Sequence, residues 1–155
     1  MPPRAREAGR EPDELAELFS GLGAGTLTDH LGMRWTAVAH GLVRGTMPVS
    51  PVHMAGNGYL HAGAVVALAD NACGYGCVAA LPNGAVGFTT VELKANLLGT
   101  AMDGAVEVEA RVGHEGLTTR VWDAAVRRAN ETKPIALFRC TQLILYPAKR
   151  ERDAT

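Results

Sequence analysis

The chain has 155 residues, about the length of one domain, with 47% of them hydrophobic and 20% charged. This composition is typical of a folded globular protein and excludes an intrinsically disordered chain. The 15 Lys and Arg residues and 16 Asp and Glu residues give a formal charge of −1, so no basic excess indicates binding to nucleic acid or to an anionic membrane. The three cysteines form no CxxC pair and show no zinc-ligand spacing, so we expect reduced thiols, no metal and a cytoplasmic location.

The N-terminal part of the chain predicts a tail, a short helix and a first strand. Residues 1–11 combine Arg, Glu and Pro without an apolar segment, which predicts a disordered tail rather than a secretory signal. Pro12 and the acidic residues after it precede apolar residues at helical spacing, so we predict an amphipathic helix that glycines end near Gly21. Residues 36–49 alternate loosely and predict a strand with bends or bulges at Gly41 and Gly45.

A long apolar run over about residues 60–81 follows a predicted loop at 50–58. The run exceeds the length of a strand, which favours a helix, and Pro82 with the two residues after it ends that helix. Asp70 lies at its centre, where insertion into a bilayer costs about 2.5–3.5 kcal/mol. We therefore predict a buried helix and no membrane partner.

The rest of the chain predicts four strands, at 91–97, 106–112, 118–128 and 135–146. Their period-two alternation predicts one covered and one polar face for each strand. A sheet that buries one face needs a cover, and the 60–81 helix is the one element long and apolar enough to provide it. We predict a single α+β domain over 12–147, with an antiparallel sheet of five or six strands around one long helix, and a polar tail over 148–155.

Two features of the long helix are candidates for chemistry. Asp70 has apolar or small neighbours, so its carboxylate must be paired, protonated or near water; a structural residue that reaches solvent is the alternative. Small residues at Ala62 and Gly63 would let an acceptor oxygen approach the free N–H groups of a helix start, which can polarise a carbonyl. Seven residues, about 10 Å of helix axis, separate Gly63 from Asp70, so one carboxylate does not reach a carbonyl bound at its own helix start. If the helix packs against a twin, the spacing predicts an active site shared between two chains.

Three motifs carry a resemblance to a known family. They are His61-Ala62-Gly63, then Leu68-Ala69-Asp70 with its acidic residue nine after the histidine, then the strand Thr89 to Leu97 with the sequence TTVELKANL. In this order they resemble the PaaI-like (phenylacetate-pathway) hot-dog fold thioesterases, over about residues 30–146. The resemblance implies the hot-dog fold, hydrolysis of an acyl-CoA thioester without a cofactor, and a homodimer at least, commonly a homotetramer made from two dimers.

The resemblance also implies roles for individual residues. Asp70 would be the general base or nucleophile, and the Ala62 amide, with Gly63, would polarise the thioester carbonyl. Thr90 would supply a hydroxyl near the carboxylate or the water, with Thr89 as the alternative in register. His61 is either a base or, as we favour, a structural residue that shapes the helix start.

The chain departs from the family pattern at two positions. Ala62 replaces the glycine of the HGG motif, and Ala55 stands six before His61, where many relatives carry Asn or Gln. Asn57, followed by Gly58, is the candidate replacement for the lost substrate contact. These departures keep open the alternative of a non-catalytic acyl-CoA-binding module. A hot-dog enoyl-thioester hydratase is the other alternative; its chemistry normally uses a His and an acidic residue that face one substrate carbon, which His61 and Asp70 do not obviously do.

Other residues have expected structural roles. We expect Tyr75 and Trp122 to pack in the core and His53 to lie at the surface or in a loop. Gly74 and Gly76 are interpreted as small residues that let a thioester and a second helix come close.

Overall fold

The computed structural model describes residues 11–148, so most of the two predicted tails, 1–11 and 148–155, lies outside the described residues. The helices are α1 (Pro12–Leu22), α2 (Leu27–His30) and α3 (Ala62–Ala79), with a single 3₁₀ turn at Pro51–His53. The strands are β1 (Arg34–Ala39), β2 (Leu42–Pro48), β3 (Gly87–Leu97), β4 (Ala105–Glu115), β5 (Thr119–Arg128) and β6 (Pro134–Leu145).

All six strands form one antiparallel sheet in the order β1-β2-β4-β5-β6-β3. The helix α3 packs along one face of this sheet and contacts every strand. The predicted α+β hot-dog arrangement, with one long helix against a sheet of five or six strands, is therefore confirmed. Strand β3 pairs with β6 and with no other described strand, so it lies at an edge of the sheet.

The helix α3 is the core element of the fold. Leu68, Ala72 and Cys73 are fully buried on the face that contacts the sheet. Within the described residues α3 is the one helix long and apolar enough to cross a membrane by length and composition, and half of it is buried inside the protein, as in a core helix. Tyr75 meets the rings of Phe19 and Trp35 edge-on, with centroids 5.0 and 5.1 Å apart, which confirms its expected role in packing.

The single strand predicted over 36–49 is wrong, because the segment is a hairpin of β1 and β2. Gly41 takes φ +73°, in the left-handed region that glycine occupies at little cost, and so turns the chain between the two strands. The bulge lies between Trp35 and Ala37 rather than at Gly45. Gly45 is a glycine for a different reason: a Cβ there would overlap the Trp35 ring.

Two further expectations about packing are corrected. The apolar residues of β3 were expected to face a covered side, but Val91, Leu93 and Leu97 are 57%, 45% and 49% exposed. These three side chains lie on the edge strand of the sheet, where α3 of the same chain does not cover them. Gly76 makes room for a ring of its own chain rather than for a second helix, since a Cβ there would overlap the buried Trp122 ring.

Candidate active site

The start of α3 is capped by the His61 side chain. His61 is the N-cap residue, and its Nδ1 accepts a hydrogen bond from the Gly63 N–H at 2.8 Å. A backbone N–H can only donate, so Nδ1 carries no proton and the neutral ring holds its proton on Nε2. In this state neither ring nitrogen can act as a base without losing the cap, which agrees with the structural interpretation of His61.

The cap leaves one amide of the first turn without an acceptor. Gly63 donates to the His61 ring, while Ala64 and Val65 donate to the His61 carbonyl at 3.0 and 3.3 Å. Within the described residues the Ala62 N–H has no hydrogen-bond acceptor, and Ala62 is exposed at the positive end of the helix dipole. This N–H is the group best placed to bind a carbonyl oxygen from outside the chain.

Asp70 lies half-buried in the middle of α3, where the neighbouring Ala69 is buried. Thr90 Oγ1, on β3, donates to Asp70 Oδ1 at 3.4 Å. Burial raises the pKa of the Asp70 carboxyl above its ordinary value, and the Thr90 hydrogen bond opposes this effect only in part. A carboxylate in this state is a stronger base than a solvated one and remains in contact with solvent.

The register of the sheet shows which of the two threonines of β3 lies on the side that faces α3. Thr90 lies opposite the buried Gln142 on the side of the sheet that faces α3, whereas the preceding Thr89 lies opposite the exposed Leu143 on the other side. The structure therefore brings Thr90 to Asp70 and places Thr89 away from it.

The loop before α3 holds Asn57 and Gly58 at its tip. Asn57 Oδ1 accepts from the Tyr59 N–H at 3.2 Å, and Gly58 takes φ +82°, so both residues shape the turn. Both are exposed. The structure gives neither residue a contact with Asp70.

His53 is the residue that sequence analysis missed. It is 3% exposed, and its Nδ1 accepts from the Ser50 N–H at 3.1 Å, so the proton lies on Nε2, which has no partner among the described residues. Its carbonyl accepts from the His61 N–H at 2.8 Å and so holds the loop against the start of α3. The available signal was the capping-box spacing of Ser50 and His53 around Pro51, with histidine in the place usually taken by Glu or Gln.

A cavity of 260 Å³ lies beside this capped helix start. Apolar side chains line most of it, and the polar side chains at its wall are His53 and His61; the lining residues are Leu27, Leu31, Val52, His53, Met54, His61, Gly63, Ala64 and Ala67. An apolar segment of a ligand could therefore lie next to the free Ala62 amide.

One chain does not bring the free amide and the carboxylate together. Eight residues, about 12 Å of helix axis, separate Ala62 from Asp70.

Residues 11–148 contain no group of three or more His, Cys, Asp or Glu side chains that could hold a metal ion.

Comparisons with known proteins identify the family of the chain. A family model described as the thioesterase superfamily matches residues 57–135, which include the whole of α3, Asp70 and Thr90. The chain belongs to the thioesterase superfamily. The superfamily's chemistry is thioester hydrolysis, and the chain is thereby a hydrolase.

Three similar proteins show the extent of the likeness. A mutant thioesterase of Pseudomonas aeruginosa superposes with a TM-score of 0.79 at 28% identity, over 84% of this chain and 93% of that chain. A 1,4-dihydroxy-2-naphthoyl-CoA hydrolase of Listeria monocytogenes is 33% identical over 84 residues, which are 54% of this chain and 67% of that protein. The PaaI protein of the Escherichia coli phenylacetic acid degradation operon has a TM-score of 0.74 at 23% identity over 86% of this chain and 96% of that chain, which shows a common fold. The resemblance to PaaI-like hot-dog thioesterases is thus confirmed.

Proposed function

We propose that this thioesterase hydrolyses acyl-CoA thioesters in a site that two copies of the chain form together. The Ala62 N–H of one copy binds the thioester carbonyl, and Asp70 of the other copy acts on it. The observation that supports this most strongly is Asp70 itself, a half-buried carboxylate with a raised pKa and one hydroxyl partner in an otherwise apolar helix.

The helix start is suited to the oxyanion. As the carbonyl carbon becomes tetrahedral, negative charge develops on its oxygen, and a fixed N–H donor at a helix N-terminus stabilises that charge. The His61 ring holds the first turn in place by accepting from Gly63, while the N–H of the exposed Ala62 keeps no acceptor among the described residues. The Ala62 methyl narrows the approach but leaves the amide donor intact.

The carboxylate is suited to activating the nucleophile. As a general base, Asp70 takes a proton from water while the water oxygen bonds to the carbonyl carbon; the C–S bond then breaks and the CoA thiolate takes up a proton. As a nucleophile, Asp70 bonds to the carbonyl carbon itself, the C–S bond breaks and the CoA thiolate leaves and takes up a proton; water then hydrolyses the resulting anhydride and restores the Asp70 carboxylate. Both routes require an ionised Asp70, and Thr90 stabilises that form by its hydrogen bond.

The second copy is supported by the open edge of the sheet. Among the described residues, strand β3 has a neighbouring strand on one side alone, and Val91, Leu93 and Leu97, which follow Thr90 along this strand, are exposed. An apolar edge strand of this length favours pairing with another strand. In the proposed homodimer, the two chains join at β3, which covers these side chains and brings each helix start toward the partner's Asp70. Two such dimers form the proposed homotetramer. The proposed location of the enzyme is the cytoplasm.

The CoA ester is supported by the chemistry and by one relative. The Listeria relative is named as hydrolysing a CoA thioester. In this chain, the 260 Å³ cavity beside the helix start would take the apolar part of such a substrate. Water, a carboxylate and an amide donor suffice for the reaction, so the proposal includes no cofactor.

The experiment measures release of free CoA from a panel of acyl-CoA esters with a thiol reagent. We expect Asp70→Asn to lower kcat/KM by about 10²–10⁴-fold, the contribution of a positioned acid–base group. Asp103→Asn, which changes an exposed carboxyl in the loop before β4, is the matched control and should leave the rate unchanged.

Three outcomes would contradict the proposal. Hydrolysis that survives unchanged in Asp70→Asn removes the assigned role of that residue. Loss of enoyl-CoA absorbance without release of CoA would identify a hydratase, and binding without turnover across the panel would identify a non-catalytic module.

A further inference from the structure

The short helix α2 forms one wall of the 260 Å³ cavity beside the start of α3. Leu27, the first residue of α2, and Leu31, which follows its last residue, line the cavity from one side. Gly63, Ala64 and Ala67 line it from α3. Helical residues three and four apart lie on one face, so these small side chains leave the space between the two helices. The size of the cavity therefore depends on what α2 presents to this face of α3.

One hydrogen bond between side chains joins α2 to the same face of α3. Thr28 Oγ1 donates to Asn71 Oδ1 at 3.0 Å, and Asn71 Nδ2 donates to the Ala67 carbonyl at 2.8 Å. Thr28 is 6% exposed, so the bond lies inside the protein. Asn71 is four residues, about 6 Å of helix axis, beyond Ala67. The Thr28–Asn71 pair therefore bridges the two helices at the end that lies away from the free Ala62 amide.

The opposite end of the cavity has large apolar side chains that are open to solvent. Leu27 and Val52 both line the cavity, yet they are 60% and 69% exposed. An apolar ligand that enters between them removes this surface from water, which favours its binding. A cavity of about 150 Å³ holds a benzene ring, so 260 Å³ holds a phenyl ring or a chain of about six to eight carbons.

We propose that α2 sets the acyl selectivity of this thioesterase. Leu27 and Leu31 form the outer wall of the cavity that takes the acyl group, and Ala67 forms its floor. The Thr28–Asn71 pair limits the depth of this cavity. This inference rests on the proposed function, in which the thioester carbonyl is bound at the start of α3. The preferred substrates are then esters of apolar acids with a ring or a chain of about six to eight carbons, and longer chains are excluded.

The first test compares kcat/KM for acetyl-CoA, hexanoyl-CoA and decanoyl-CoA, with release of CoA as the readout. We expect the parent to prefer hexanoyl-CoA over decanoyl-CoA by about tenfold or more, because a cavity closed at one end excludes the longer chain. Ala67→Leu fills the floor and keeps a good helix former, so it should lower the ratio of kcat/KM for hexanoyl-CoA to that for acetyl-CoA about tenfold or more. Ala125→Leu lies on the opposite face of the sheet, in register with the exposed Leu137, and is the matched control that should keep the parent's ratio.

The second test removes the bond between the two helices. Thr28→Val and Asn71→Ala should each raise the ratio of kcat/KM for decanoyl-CoA to that for hexanoyl-CoA about tenfold, because the inner end of the cavity is no longer held closed. Thr28→Ser keeps the hydroxyl and should keep the parent's ratio. The double variant should show no larger change than either single variant, since both remove the same bond. A loss of stability alone would lower the amount of active enzyme and leave these ratios in place.

The outcomes separate this inference from the function on which it rests. If the parent releases CoA from none of the three esters, the proposed function fails and the selectivity of α2 fails with it. If the parent hydrolyses the esters but favours decanoyl-CoA, or if Ala67→Leu keeps the parent's ratio, the inference alone is overturned. Ratios in Thr28→Val and Asn71→Ala that match the parent would overturn the role of the Thr28–Asn71 pair.

Discussion

The partial burial of Asp70, on which its proposed function depends, lowers the stability of the fold when the carboxyl is ionised. Burial raises the pKa of its carboxyl above the ordinary value of 3.8, so the folded chain holds that proton more tightly than the unfolded chain does. Proton binding is then greater in the folded state, and stability falls as the pH rises from 3.8 through the raised pKa. The ionised form that the reaction needs is therefore the form that the fold tolerates less well.

This argument predicts that Asp70→Asn is more stable than the parent at neutral pH while it loses activity. The amide has the shape of the carboxylate without its desolvated charge, so the gain should disappear as the pH falls below 3.8. Urea unfolding at a series of pH values measures the difference. A variant that is less stable than the parent at neutral pH would contradict the effect of burial described for Asp70.

Thr90 controls the same carboxyl in the opposite direction. Its hydrogen bond lowers the pKa of Asp70, so Thr90→Val should raise that pKa further and shift the acid limb of the kcat/KM profile to higher pH. Thr89→Val changes the neighbouring side chain on the other side of the sheet and should leave the limb in place. The pH profiles of kcat/KM of the two variants test whether Thr90 or Thr89 donates to Asp70. An acid limb that moves in Thr89→Val and not in Thr90→Val would contradict the assignment of Thr90.

At the scale of the elements, the sequence predicted the type of α3 and of the strands that alternate with period two. The predicted helix over 60–81 contains α3, and the four predicted strands fall on β3 to β6. Local periodicity suffices for these elements because each follows from the spacing of its own apolar residues.

The features that were missed depend on contacts between distant residues. Alternation in β3 shows that one face is apolar, but not that the strand pairs with β6 alone and leaves Leu93 exposed. Gly45 and Gly76 lie against Trp35 and Trp122, contacts that the local sequence does not contain. His53 was missed because histidine is an uncommon residue for a capping box.

Two helical glycines should respond to alanine with opposite signs. Gly76→Ala adds a Cβ that overlaps the buried Trp122 ring, so we expect it to destabilise the fold by about 1–3 kcal/mol despite the better helix propensity of alanine. Gly21→Ala, in α1, has nothing within 4 Å of the added Cβ and should stabilise by up to about 1 kcal/mol. Thermal unfolding of both variants measures the pair; a stabilised Gly76→Ala would contradict the packing described for Trp122.

At the scale of the whole molecule, the proposed mechanism makes the chain by itself an incomplete enzyme. The free Ala62 amide and Asp70 lie on one straight helix, about 12 Å apart along its axis, while the edge beside Asp70 is apolar and open. A second copy related by a two-fold axis completes two sites at once, since each chain gives its helix start to one site and its carboxylate to the other. The proposed hydrolysis therefore depends on assembly.

The most direct test of this claim mixes two inactive variants. Asp70→Asn removes the carboxylate, and Ala62→Pro removes the amide donor at the first helical position, where proline is tolerated. Ala62→Ser retains the amide and is the control for changing that side chain. Each inactive variant is measured alone and after the two are unfolded and refolded together in equal amounts, with release of CoA as the readout.

In a mixed dimer, one site combines the Asp70 of the Ala62→Pro chain with the intact helix start of the Asp70→Asn chain. Half of the dimers are mixed after random assembly and each holds one intact site, so the account predicts recovery of about a quarter of the parent activity. No recovery from the refolded mixture, when each variant alone is folded and dimeric, would contradict a site built from two chains.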